Sequence, residues 1–188
     1  MCSNRCRVEG LGHTRMRWGY RFRQFLMRRK ADDAAVARET SQRALPRAAY
    51  RLFEEMSAGD QIHALCVFRA LGRARTPAAE LAQAALLHDV GKAAGRLTIP
   101  YRAIIVLLEW VGGGLLKRLA LAEPTSWRYP FHIHLNHAEL GALRCGEVGC
   151  SPLTVALVRY HELPLEDAPR DRGLRESLIA LKKADESC

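Results

Sequence analysis

The chain has 188 residues, of which 48% are hydrophobic and 26% charged, and a net charge of +9. This is enough for one sizeable core, and it excludes a wholly disordered, collagenous or low-complexity chain. Ala and Leu together number 53 against 21 for Val, Ile and Thr, a balance that favours helices and disfavours an all-β sandwich or barrel.

The charge is concentrated at one end. Residues 1–30 hold nine Lys/Arg and one acid, Glu9, whereas residues 31–188 hold 20 basic and 19 acidic residues. Basicity is therefore a property of the N-terminal segment and says little about the ligand of the rest. Trp18, Phe22, Phe25 and Leu26 have the spacing of one apolar stripe on a helix, weakened by Gly19. Such a stripe fits packing on the protein's own core, an anionic membrane surface or nucleic acid, in that order, through residues 15–30. Residues 1–14 look irregular, and Met16 is an alternative start. The first 30 residues lack the apolar stretch of a signal peptide, and the longest run free of Gly and polar residues, Ala103 to Leu108, is too short to cross a bilayer. These features point to a cytoplasmic protein, or one peripheral to a membrane.

Residues 31–58 read as connecting helices, a first helix and a short second one interrupted at Leu45-Pro46. Asp60 is placed to cap a helix over about Gln61 to Leu71, ended by Gly72. Thr76-Pro77 signals the start of a helix that reaches about Val90 and stops at Gly91. Further helices are expected over Pro100 to Val111, Leu115 to Ala122 and His132 to Cys145, with a loop over Pro124 to Pro130. Ser151-Pro152 repeats the cap-then-proline start for a helix to His161, and a last helix covers Leu174 to Glu186. The cysteines at 2, 6, 66, 145, 150 and 188 show no CxxC spacing and do not resemble a disulfide framework, so reduced thiols are expected. Cys2 and Cys6 lack a second Cys/His pair to complete a zinc knuckle.

The polar residues carry the functional signal. His63 has Cys66, Val67 and Ala70 on its helical stripe, and His88 has Leu81, Ala84 and Ala85. His161 has Leu153, Leu157 and Val158, and Asp185 has Leu178 and Leu181. One histidine on such a stripe is ordinarily a satisfied core residue. A carboxylate there is costly unless paired or bound to metal. Several on separate helices are explained together by convergence on a cation, for which imidazole and carboxylate are the usual ligands. His88 and Asp89 are adjacent and point about 100° apart on a helix, so both can reach one cation only at the helix end.

At Leu86-Leu87-His88-Asp89-Val90-Gly91-Lys92 and Asn136-His137-Ala138-Glu139-Leu140-Gly141-Ala142, the sequence resembles the HD-domain superfamily of metal-dependent phosphohydrolases, over about Asp60 to Asp185. The resemblance implies an all-α, HD-domain-like helical bundle spanning residues 59–188 with a central metal site. His63, His88, Asp89 and Asp185 would form a first metal position. His137 and His161 would complete a second with Asp89 bridging, and His134 competes with His137. One or two divalent ions (Mn, Fe, Zn or Mg) are implied, together with hydrolysis of a phosphate ester, a nucleotide or other phosphorylated small molecule, by metal-activated water. Asp89 and Lys92 are then the catalytic candidates. Lys92, or more weakly Arg96 and Arg159, would contact phosphate. A solvated helix-end lysine is the plain alternative for Lys92. His132 and His13 are expected at the surface.

The sequence departs from cyclic-dinucleotide phosphodiesterases of this kind. His161 is single and followed by Glu162-Leu163-Pro164, which removes support for that activity. The 47 residues between Asp89 and His137 are mostly an insert, Arg96 to Pro130, expected to shape the pocket. The competing function is a nucleotide-sensing module that keeps the metal fold without turnover.

Overall fold

In the computed structural model, side-chain caps at Ser57, Ser151 and Asp171 mark the starts of three helices. The structure describes residues 33, 35–74, 76–95, 99–111 and 114–188, and among them there are helices and no strands. The expectations for residues 1–30, including the Trp18–Leu26 stripe, and for Arg96 lie outside the described residues. Leu45 and Pro46 separate α1 (residues 35–44) from α2 (Arg47–Glu54), as the proline predicts. The cap of α3 (Ala58–Ala74) is Ser57 rather than Asp60. The Ser57 hydroxyl accepts from the Asp60 amide at 3.2 Å and donates to the Asp60 carboxylate at 2.6 Å, a reciprocal arrangement that satisfies the first turn. Gly72 does not end this helix, which runs two residues further.

α4 (Ala79–Leu87) begins after Ala78, and no side chain caps it, so Thr76 does not play the expected role. It also ends earlier than predicted. The chain leaves it through His88 and Asp89 into a tighter 3-10 turn, Val90–Ala94. α5 (Ile99–Val111) and α6 (Gly114–Leu119) form the insert. α7 (Tyr129–Glu147) starts within the predicted loop, with Pro130 tolerated in its first turn where no helical hydrogen bond is lost. α8 (Pro152–Tyr160) is capped by Ser151, which accepts from the Thr154 amide, as expected. α9 (Arg172–Glu186) is capped by Asp171, which accepts from the Leu174 amide at 2.7 Å.

One core gathers Leu52 and Phe53 of α2, Val67 of α3, Leu86 and Leu87 of α4, Leu157 of α8 and Leu178 and Leu181 of α9, all buried. The helices before residue 59 therefore belong to the same core as those after it. Buried Gln61 ties them together. Its amide donates to the carbonyls of Phe53 and Met56, and its oxygen accepts from Arg38 of α1. This satisfies the C-terminal end of α2, which would otherwise leave buried acceptors unpaired.

Two glycines, Gly91 and Gly141, let two backbone segments approach closely. A Cβ on Gly91 would overlap the carbonyl oxygen of His137 and lie 2.8 Å from the Gly141 amide nitrogen. The 3-10 turn thus lies directly on the α7 backbone, bringing Asp89 and His137 together.

The expectation of reduced thiols fails at one pair: Cys66 and Cys188 form a disulfide, with Cα atoms 5.9 Å apart. They are 122 residues apart in sequence, so no local spacing announces them, and the packing of α3 against α9 makes the pair. The bridge sits one turn from His63 on α3 and three residues from Asp185 on α9. Closing so long a loop removes much denatured-state entropy. Cys188→Ser is therefore expected to lower stability by about 4 kcal/mol, read as a lower denaturant midpoint that dithiothreitol reproduces in the parent protein.

The insert forms a satellite cluster, with Ile105, Leu116 and Ala120 buried against Phe131 of α7. It leaves Val106, Leu107, Leu121 and Trp127 exposed. No helix among the described residues is long and apolar enough to cross a membrane.

Candidate metal centre

Six elements deliver polar side chains to one point. α3 brings His63, the end of α4 brings His88, the start of the 3-10 turn brings Asp89, α7 brings His137, the end of α8 brings His161, and α9 brings Asp185. His88, Asp89, His137 and His161 are buried, whereas His63 and Asp185 are about one-third exposed. The doublet works as its position suggests. His88 retains helical dihedrals, while Asp89 at φ −96°, ψ 5° turns out of the helix, so the two neighbours face the same point.

Each buried imidazole is held from behind. Nδ1 of His88 donates to the Ala85 carbonyl (3.0 Å), that of His137 to the His134 carbonyl (2.7 Å) and that of His161 to the Val158 carbonyl (2.7 Å). These bonds place the proton on Nδ1 and aim the Nε2 lone pairs inward, the arrangement that orients metal-binding histidines. The three Nε2 atoms have no hydrogen-bond partner. A buried polar atom left unpaired costs about 1–3 kcal/mol, so three converging ones need an explanation.

The carboxylates provide it. His137 Nε2 lies 3.5 Å from Asp89 Oδ1 and His161 Nε2 3.9 Å from the same oxygen. His88 Nε2 lies 3.7 Å from Asp89 Oδ2 and 3.7 Å from Asp185 Oδ1. These separations are too long for hydrogen bonds. Donors about 2.1 Å from a shared cation stand roughly 3.0–3.5 Å apart, close to what is seen. Two groups of donors lie within mutual reach, His63 with His88 and Asp89, and Asp89 with His137 and His161, so Asp89 is common to both. The residues fit a divalent ion of the type that accepts mixed nitrogen and oxygen ligands.

The electrostatics agree. Burial opposes ionisation of Asp89, but His88, Lys92 and His137 outweigh it and hold the carboxyl well below its usual range. Burial, with His88 adding, pushes His161 down to about 4, so its ring is neutral at pH 7. The Asp185 carboxylate, 2.8 Å from His63 Nε2, raises the His63 pKa and is itself lowered by that contact.

His137, not His134, enters the cluster, and His134 supplies the carbonyl that holds it. Lys92 is no solvated helix-end lysine, because its ammonium is 2.7 Å from Asp89 Oδ2. Arg159 is brought to Glu139 by two hydrogen bonds, 2.7 and 2.9 Å, rather than to the cluster. His132 is not a free surface residue: it is half-buried, donates to the Ala120 carbonyl at 3.1 Å and stacks on Tyr129. Glu162 was not among the expected residues. Its Oε1 lies 3.4 Å from His137 Nε2 and 3.6 Å from His161 Nε2.

No protein-family model, curated protein or solved structure matches the chain. The fold and the buried His/Asp cluster define it as an all-α protein with a group of residues able to hold a metal ion.

Proposed function

We propose that this protein is a metal-dependent phosphohydrolase of the HD-domain kind, acting on a nucleotide or another small phosphate ester. The observation that carries the reading is the trio of inward-facing, unpaired Nε2 atoms around a shared Asp89. The order of the motif residues along the chain supports it. His63, His88, Asp89 and Asp185 would hold one divalent cation, and Asp89, His137 and His161 a second. Such ions supply Lewis acidity, which makes water nucleophilic near neutral pH and offsets phosphoryl charge.

The chain's own groups do the rest. The backbone carbonyls of Ala85, His134 and Val158 fix the three rings before substrate arrives, so little reorganisation is needed. Lys92, held beside Asp89, presents a cation where a phosphate oxygen would develop charge. The partial exposure of His63 and Asp185 supports an approach for substrate from the α3–α9 side.

A panel of nucleoside mono-, di- and triphosphates and p-nitrophenyl phosphate, assayed with Mn²⁺ or Fe²⁺ and then with EDTA, tests the reading. Turnover that EDTA removes and added metal restores is expected. Metal-loaded protein that hydrolyses none of them points instead to a nucleotide sensor.

A further inference from the structure

Glu162 stands apart from the other residues of the cluster. The histidines beside it are buried and braced by backbone carbonyls, whereas the Glu162 side chain is 58% exposed and follows the C-terminal end of α8. Its carboxylate nevertheless reaches in to stand 3.4 and 3.6 Å from two Nε2 atoms, of His137 and His161, that no hydrogen bond satisfies. These distances match those from the same two nitrogens to Asp89 Oδ1, 3.5 and 3.9 Å. Asp89 and Glu162 thus both present an oxygen to the same imidazole pair, Asp89 from a buried position and Glu162 from an exposed one.

We propose that Glu162 is a fourth ligand of the second cation position, alongside Asp89, His137 and His161, and that it is displaceable, yielding its place to an oxygen of the incoming phosphate. The proposal rests on the metal-centre reading given above. Three buried ligands leave the coordination open, as a reactive site requires, and a fourth on an exposed side chain can close it when no substrate is present. An exposed glutamate is suited to this because its carboxylate can swing into water at little cost, which the buried Asp89 cannot do. The exchange replaces one carboxylate oxygen with one phosphate oxygen, so the cation keeps both its ligand number and an anionic donor. Glu162 would therefore compete with phosphate, making the site hold metal firmly when empty while binding product weakly.

The test titrates metal-free wild type, Glu162→Gln and Glu162→Asp with Mn²⁺ by calorimetry, then titrates the loaded proteins with inorganic phosphate. Glu162→Gln keeps the size of the side chain and removes its charge. It should weaken the second Mn²⁺ by about tenfold and leave the first unchanged. Phosphate should then bind the fully loaded variant several-fold more tightly than wild type, because no carboxylate has to leave. Glu162→Asp, one methylene shorter, should show the same directions with a smaller change. If wild type takes up Mn²⁺ and both variants match it in metal and phosphate affinity, Glu162 is not a ligand, and the metal centre stands without it. If wild type takes up no metal, both proposals fall together. If metal weakens but phosphate also weakens, Glu162 is a ligand that stays bound, and displacement is overturned.

Discussion

Asp89→Asn should abolish turnover and strip both cations, whereas no other single replacement in the cluster should affect more than one metal position directly. Asp89 is the residue common to the two donor groups, with Oδ1 facing His137 and His161 and Oδ2 facing His88 and Lys92. Asn keeps the shape, but it replaces an anionic oxygen with an amide N–H₂ donor. That group cannot ligate a cation, and one side of the cluster then faces a hydrogen-bond donor. Losing the charge that links two cations is worth several kcal/mol of barrier, so kcat should fall by about a thousandfold or more. Calorimetric metal titration and kcat on the same preparation check this. Near-normal kcat in Asp89→Asn would show that the reacting atoms lie elsewhere.

Gly91→Ala should damage the protein through the backbone rather than through chemistry. The added methyl would overlap the His137 carbonyl and crowd the Gly141 amide, neither of which can move without displacing α7. Forcing that separation costs about 3 kcal/mol or more. In a domain of this size that corresponds to a loss of roughly 6–12 °C in Tm. Metal affinity should fall with it, because the same approach sets the distance from Asp89 to His137. Gly72→Ala in α3 is the control. A methyl there meets nothing within 4 Å, so improved helix propensity should leave stability unchanged or raise it by up to ~1 kcal/mol. A Gly91→Ala protein that melts like the parent would contradict the close crossing of the 3-10 turn and α7.

Much of this was legible in the sequence because the signals are local. Pro46, Ser151-Pro152 and the hydrophobic periods place the helices to within a few residues; the misplaced start of α3 traces to a capping alternative, and the early end of α4 to the 3-10 turn that follows it. Ser57 outcompeted Asp60 because a hydroxyl one residue before the helix reaches the third amide directly. The His88-Asp89 doublet announced a site at a helix end for a geometric reason, since neighbours on a continuing helix cannot face one point. His63, His88, His161 and Asp185 fall on core-facing stripes where uncompensated polarity is costly, and the structure gathers them; His137 was marked only by the resemblance of its Asn136–Ala142 stretch.

What the sequence did not reveal depends on tertiary packing. The Cys66–Cys188 bridge joins residues whose proximity exists only once α3 and α9 pack together. The partner of Arg159 is set by tertiary packing, because helix spacing gives a side chain's direction, not the Glu139 carboxylate waiting on α7; Lys92 pairs locally, with Asp89 three residues earlier, once the chain turns out of α4. Glu162 lies past the end of α8, outside any periodic stripe, and an exposed glutamate carries no cost that would mark it. Its adjacency to His161 was the one available clue.

The most direct measurement is the metal content of the purified protein, loaded with excess Mn²⁺ or Zn²⁺, desalted, and analysed by plasma mass spectrometry beside His161→Ala. The account predicts about two equivalents per chain in the wild type and about one in His161→Ala, since His63, His88, Asp89 and Asp185 remain to hold the first ion. A wild-type protein that is folded by circular dichroism and retains no metal under any loading condition would contradict it.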